Sequence, residues 1–213
     1  MISILSTAIC LSTPGQTPPA KESLQNENKG LPPRATPTDY QAQGKTGKLT
    51  IGAEFAGHSI PTPGGTLTTE DYVVVETGLF GPPDTSVKMA TEDFSLRING
   101  KKTALPSQPY GLVISSVKDP EWEPPEKQES KSKTKLGGGG QGESGPPPPV
   151  HIPIEIQRAM ALKVRKAALP EGDRTLPQAG LLFFQYRGKV QHIQSIELIY
   201  NGPEGTTTIN LHP

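Results

Sequence analysis

Apolar residues gather in two blocks, 48–118 and 150–211, and within each they recur mostly at the two-residue period that puts alternate side chains on one face of a strand. In Lys48–Phe55 the apolar positions are Leu49, Ile51, Ala53 and Phe55, which predicts a half-buried strand. Pro61, Pro63, Gly64 and Gly65 then interrupt the pattern. Tyr72–Phe80 (YVVVETGLF) is the most β-prone run, and its consecutive valines predict a central strand covered on both faces. Phe94, Leu96 and Ile98 alternate up to Asn99-Gly100, two residues that tolerate positive φ and predict a type I′ hairpin turn, with Lys101–Leu105 as the returning strand. Gly111–Val117 reads as a short further strand.

In the second block Val150, Ile152, Ile154 and Ile156 alternate and lead into Gln157–Leu169, which is made almost wholly of helix formers. Ile156, Met160, Val164 and Ala167 share one helical face there; a strand with Met160, Leu162 and Val164 inward is the alternative. Gly180–Tyr186, Ser195–Tyr200 and Thr206–Leu211 read as strands, the last two joined by the glycine-containing loop Asn201–Gly205. About seven or eight short strands separated by turn signals predict a mainly β chain, an antiparallel immunoglobulin-like β-sandwich with one short helix.

Composition limits how much of the chain can fold. Of 213 residues, 24 are Pro and 23 Gly, and only 32% are hydrophobic, so regular structure is expected over a fraction of the length. Thr13–Gly47 is rich in Pro, Gln, Thr, Lys and Gly and is expected to be a disordered tether. A long low-complexity insert at 119–149 holds the glycine run Gly137–Gly140 and the proline run Pro146–Pro149, and is likewise expected to be disordered. Residues 48–211 are then expected to form one domain across that insert, since neither block alone supplies enough strands to close a core; two mini-domains are the alternative.

Lys and Arg total 21 and Asp and Glu 21, so no overall field draws the chain to nucleic acid. Residues 1–12 (MISILSTAICLS) are apolar, too short to span a bilayer and followed by a polar Pro-rich stretch, which suits a secretory signal and an extracytoplasmic location. The one cysteine, Cys10, lies inside that stretch, where lipid attachment is conceivable but Ile9 replaces the small residue such a site favours.

Tyr72-Val73-Val74-Val75, Thr91-Glu92-Asp93-Phe94-Ser95-Leu96 and Asn99-Gly100-Lys101 resemble the core of telokin-like, immunoglobulin-fold domains of uncharacterised bacterial envelope lipoproteins. Leu169-Pro170-Glu171-Gly172 with Gly180-Leu181-Leu182-Phe183-Phe184 is similar to a turn and hydrophobic strand of the same family. The resemblance implies a fold and a compartment, and no reaction.

The residues themselves argue against most chemistry. His58, His151, His192 and His212 show no metal-ligand spacing, so neither a metal nor a cofactor is expected, and solvated loop or strand-end positions are their expected places. Gly44-Lys45-Thr46 lacks the earlier glycine of a phosphate loop, and Ser115-Ser116 lacks nucleophile-elbow glycines. The acidic pairs Glu70-Asp71 and Glu92-Asp93 stand at strand starts, where exposed acids are ordinary. Tyr110 and the sole tryptophan, Trp122, are the candidate contacts for a protein or glycan, although Trp122 could equally fold back over one end of the domain. Arg158, Lys163, Arg165 and Lys166 suit solvent first and anionic lipid second. The expectation is an exported, monomeric, non-enzymatic interaction module of the cell envelope. A carbohydrate hydrolase using an acidic pair and a purely structural spacer are the alternatives.

Overall fold

The computed structural model describes residues 28–122 and 152–213. The expected signal segment, the first half of the expected tether and nearly all of the expected insert lie outside them. Among the described residues there are thirteen strands: β1 (Ala42–Thr46), β2 (Leu49–Gly57), β3 (Ser59–Thr62), β4 (Gly65–Thr69), β5 (Tyr72–Phe80), β6 (Ser86–Met89), β7 (Phe94–Ile98), β8 (Leu105–Gln108), β9 (Val117–Lys118), β10 (Gly172–Thr175), β11 (Gln178–Gln185), β12 (Ile196–Gly202) and β13 (Gly205–Leu211). The helices are α1 (Tyr110–Val113) and α2 (Ile154–Ala167).

The chain is mainly β and its strand pairs are antiparallel, as the alternation predicts. Eight strands follow one another in a single sheet ordered β1-β2-β5-β11-β8-β7-β12-β13, so strands from either side of residue 122 interleave. The two-sheet immunoglobulin-like sandwich expected from strand count is not the arrangement seen: the sheet curls into a nearly closed barrel. Seven consecutive antiparallel pairings leave the two edge strands, β1 and β13, running in opposite directions. They lie side by side accordingly: near one end Gln41 Nε2 donates to His212 O at 2.8 Å, and near the other Thr46 Oγ1 donates to Glu204 O at 3.0 Å. Between these ties, a Cβ at Gly44 would strike Ile209 and Thr207, so the missing side chain permits the close approach.

Inside the curl, Leu49, Ile51, Val73, Val75, Phe94, Leu96, Leu182, Phe184, Leu198 and Ile209 belong to one buried apolar cluster. Val87 and Met89 of the β6–β10 ribbon join it. Alternation then puts Tyr72, Val74, Leu181 and Phe183 on the outer face, where α2 covers them with Met160, Val164 and Ala167 in a second cluster. A small sheet, β3-β4-β9, supplies Ile60, Leu67 and Val117 to that layer. Both β5 and β11 are therefore buried on both faces, as the consecutive valines predict for β5. Burying Leu181, Leu182, Phe183 and Phe184 stabilises the fold by about 1.5–3 kcal/mol each.

Several expected elements differ. Residues 154–156 begin the helix instead of ending a strand; Glu155 in its first turn and Arg165 and Lys166 in its last complement the helix dipole. Gly111–Val117 is mostly helical, with Val117 alone entering a strand. The return after Asn99-Gly100 starts at Leu105, although both turn residues do take positive φ, 53° and 62°. Pro61 and Gly65 belong to the β3–β4 hairpin, paired Pro61 with Thr66 and Thr62 with Gly65.

The later part of the expected tether, residues 28–47, is folded onto the sheet. Leu31 N donates to Ala179 O at 2.9 Å, and β1 pairs with β2 along its length. Tyr40 lies across Gly52 and Gly78 of adjacent strands, where any Cβ would collide with its ring. Arg34 stacks 4.5 Å over that ring and bridges Glu54 at 2.5 Å and Glu76 at 3.1 Å. Low hydropathy misled here because the anchoring rests on few side chains: Leu31, Arg34 and Tyr40.

On the inner face of β5, the Thr77 hydroxyl is fully buried without a hydrogen-bond partner. Thr77→Val removes that polar atom at nearly constant volume and is expected to raise stability by about 1 kcal/mol, read as a higher denaturation midpoint at unchanged slope.

Candidate functional site

The two aromatics singled out from sequence are not brought together. Tyr110 opens α1 half-buried against the outer cluster and lines a small pocket with Leu181 and Phe183. Trp122, the last described residue before 152, is half-buried, with its amide donating to Asp119 O at 3.2 Å. Among the described residues no ring contact joins them. Tyr110 thus packs in part against the outer cluster while keeping some of its ring exposed.

A groove of about 590 Å³ is instead built around His58, which the sequence suggested would be a solvated loop or strand-end residue and which stands between β2 and β3. β2 and β5 fall out of register between Phe55 and Gly57, and Gly57 takes φ 62°, which turns the chain sharply into His58. The half-buried ring reaches two backbone carbonyls: Nδ1 lies 2.6 Å from Tyr72 O and Nε2 3.0 Å from Gly188 O. Its own carbonyl accepts from Thr69 N at 3.0 Å. The imidazole thereby ties the β2 corner, the start of β5 and the loop after β11 into one unit. Glycine ahead of histidine was the available sequence signal, but the carbonyl partners are 14 and 130 residues away and no local pattern announces them.

Thr68, Thr69 and Glu70 form one side of the groove and Arg187, Lys189 and Gln191 the other. Arg187 Nε pairs with Asp71 Oδ1 at 2.8 Å, and Lys118 Nζ with Glu70 Oε1 at 2.6 Å. The two members of the first acidic pair are thus each engaged by a different cation. Because both His58 nitrogens face carbonyl oxygens, the ring has no nitrogen directed at a substrate proton. Polar, mixed in charge and open to solvent, the groove can hold a polar ligand or a partner's loop by hydrogen bonds.

The other candidates are accounted for by structure. Ser116 Oγ lies 2.8 Å from Thr69 Oγ1 and 2.9 Å from Val113 O, and Ser115 Oγ donates to Leu112 O, so both serines close the turn after α1. His192 and His212 are exposed, and their carbonyls accept from Asn99 and Gln41. Gly44, Lys45 and Thr46 lie within the edge strand β1. Among the described residues no three His, Cys, Asp or Glu side chains are grouped to hold a metal ion. Cys10, His151 and the glycine and proline runs lie outside the described residues.

Burial, then the neighbouring Glu92, push the Asp93 carboxyl above the usual range, with Lys88 acting in the opposite sense. Tyr200 close by is also raised, by burial first and then by the charge of Asp93. No protein family, curated protein or solved structure matches the chain.

A carboxyl whose folded pKa is raised favours folding when protonated, so its contribution is full below the unfolded value and is lost as pH rises through the folded one. Asp93→Asn is accordingly expected to be more stable than the parent at neutral pH, by roughly a few tenths of a kcal/mol after solvent screening. Urea midpoints taken across the acid range should show that advantage vanish as pH falls below the carboxylate range.

Proposed function

We propose that the chain is an exported, monomeric, non-enzymatic interaction module of the bacterial cell envelope, and that it meets its partner at the His58 groove. The observation that carries this reading is where space is left. The curled sheet is filled by its own side chains, including Phe94 and Phe184, which takes up the volume where a barrel of this size could hold a small ligand. Recognition is thereby directed to the surface, and the His58 groove offers donors and acceptors on a corner where the imidazole lies against the Tyr72 and Gly188 carbonyls and Thr69 N donates to His58 O. Mutual cover of β1 and β13 removes the long free edges through which such sheets associate, which supports a monomer. Export is argued from the apolar stretch at residues 1–12 and the polar Pro-rich sequence after it.

The telokin-like, immunoglobulin-like kinship belongs to the same proposal. Antiparallel pairing and a single long helix are compatible with it; a sheet continuous around one core is the feature it must accommodate. One observation favours a second reading, a hydrolase of envelope carbohydrate: Asp93, held protonated more readily than a free carboxyl, adjoins Glu92.

A photo-crosslinking residue placed at Gln191 in the native protein is expected to capture a discrete envelope component, while one placed at Lys45, exposed and paired with Thr50 at the end of β2 away from His58, captures none. Mass spectrometry of the same fractions is expected to find a processed N-terminus. An intact Met1 on a cytosolic species sinks the export argument. Glycoside turnover abolished by Asp93→Asn or Glu92→Gln replaces the module with the hydrolase, and equal capture from both positions leaves a spacer.

A further inference from the structure

The large hydrophobic side chains left exposed among the described residues are Leu112 at 55%, Ile154 at 51% and Leu162 at 44%. Scattered singly they would be ordinary, but all stand on α1 and α2, which touch each other. Core packing does not call for them: α2 is held by Met160, Val164 and Ala167 on its opposite side.

On the outward side Ile154, Arg158, Leu162 and Lys166 recur at four-residue steps and all are exposed. Four-residue steps place side chains in one row, so apolar and cationic groups alternate along a single stripe. The helix carries one acid, Glu155, against four cations, of which Lys163 flanks the stripe at 3.9 Å from Asp119. The chain as a whole has a net charge of zero, so this positive strip is a local feature of α2 and not a consequence of overall basicity.

We propose that the stripe docks α2 flat on an anionic lipid surface. Ile154 and Leu162 enter the headgroup boundary, and Arg158 and Lys166 meet lipid phosphates. Long cationic side chains beside apolar ones suit that boundary, where the stem is buried and the charge stays among headgroups. Charge complementarity selects an anionic bilayer. This inference goes beyond the interaction-module reading and depends neither on a protein partner nor on export.

Sedimentation of the full chain with phosphatidylcholine vesicles, with and without phosphatidylglycerol, tests it. Binding is expected only with the anionic lipid and should weaken as salt is raised. Each cation removed should lower the partition coefficient about fivefold, so Arg158→Gln with Lys166→Gln should cost more than tenfold. Leu162→Gln should cost about tenfold through lost apolar insertion. Lys45→Gln with Lys101→Gln, an equal change in net charge elsewhere on the surface, should leave binding intact. Thermal melts confirm that these exposed substitutions keep the fold. No binding to anionic vesicles overturns the proposal, as does equal binding to neutral ones. So does binding that the stripe variants leave unchanged or that the Lys45 and Lys101 variant reduces as much. Retention on an immobilised acidic polypeptide without vesicle binding would assign the stripe to a protein instead.

Discussion

The pairing of β11 with β5 is the contact on which the rest of the molecule depends. Its register runs from Gln178 opposite Leu79 to Gln185 opposite Tyr72, and it is the ladder that joins the first apolar block to the second through the middle of the sheet. Side chains leave it on both faces: Val73, Val75, Leu182 and Phe184 toward the interior, Val74, Leu181 and Phe183 toward α2. If that ladder were lost, the interior would open and the helix would have nothing to cover. β11 also pairs with β8 on its other side, and β12 attaches to β7, so the two blocks are held at three seams of one sheet.

Closure of the curl follows from smaller constraints. Gly44 admits Ile209 and Thr207, two side-chain bonds tie the ends of the edge strands, and Tyr40 fits where Gly52 and Gly78 leave room. Arg34, between Glu54 and Glu76, then pins the segment that carries Tyr40. Each is a polar or glycine-based device placed where the hydrophobic pattern is weak, so the sheet can close without adding apolar residues to its rim. The same economy explains the outer surface. The groove at His58 is fixed by backbone carbonyls and ion pairs, and the large apolar side chains that remain exposed among the described residues are confined to α1 and α2.

How much of this could be read in the sequence depended on how local the cause was. A continuous apolar run identified β5 as a strand buried on both faces, the run at Gly180–Tyr186 identified β11 as a strand, and the face made of Ile156, Met160, Val164 and Ala167 identified α2, because burial period is a local property. The Asn99-Gly100 turn was legible for the same reason. The strap at 28–41 was not, since its attachment rests on Leu31, Arg34 and Tyr40 meeting partners elsewhere in the sheet; Arg34 and Glu76 are 42 residues apart. Strand count suggested two facing sheets, but count does not specify order, and it is the insertion of β11 between β5 and β8 that makes one continuous wall. The candidate site shared this limit. Aromatic residues drew attention to Tyr110 and Trp122, whereas the groove is made by a histidine whose ring partners are set by tertiary folding.

The central claim is that neither apolar block is a folding unit without the other. Residues 28–122 and 152–213 produced as separate chains and followed by urea unfolding test it most directly. Each fragment alone should show no cooperative transition, and mixing them should restore one together with a tertiary circular-dichroism signal. A cooperative transition in 28–122 alone would contradict the account, because the interleaved sheet leaves that fragment without the strand between β5 and β8.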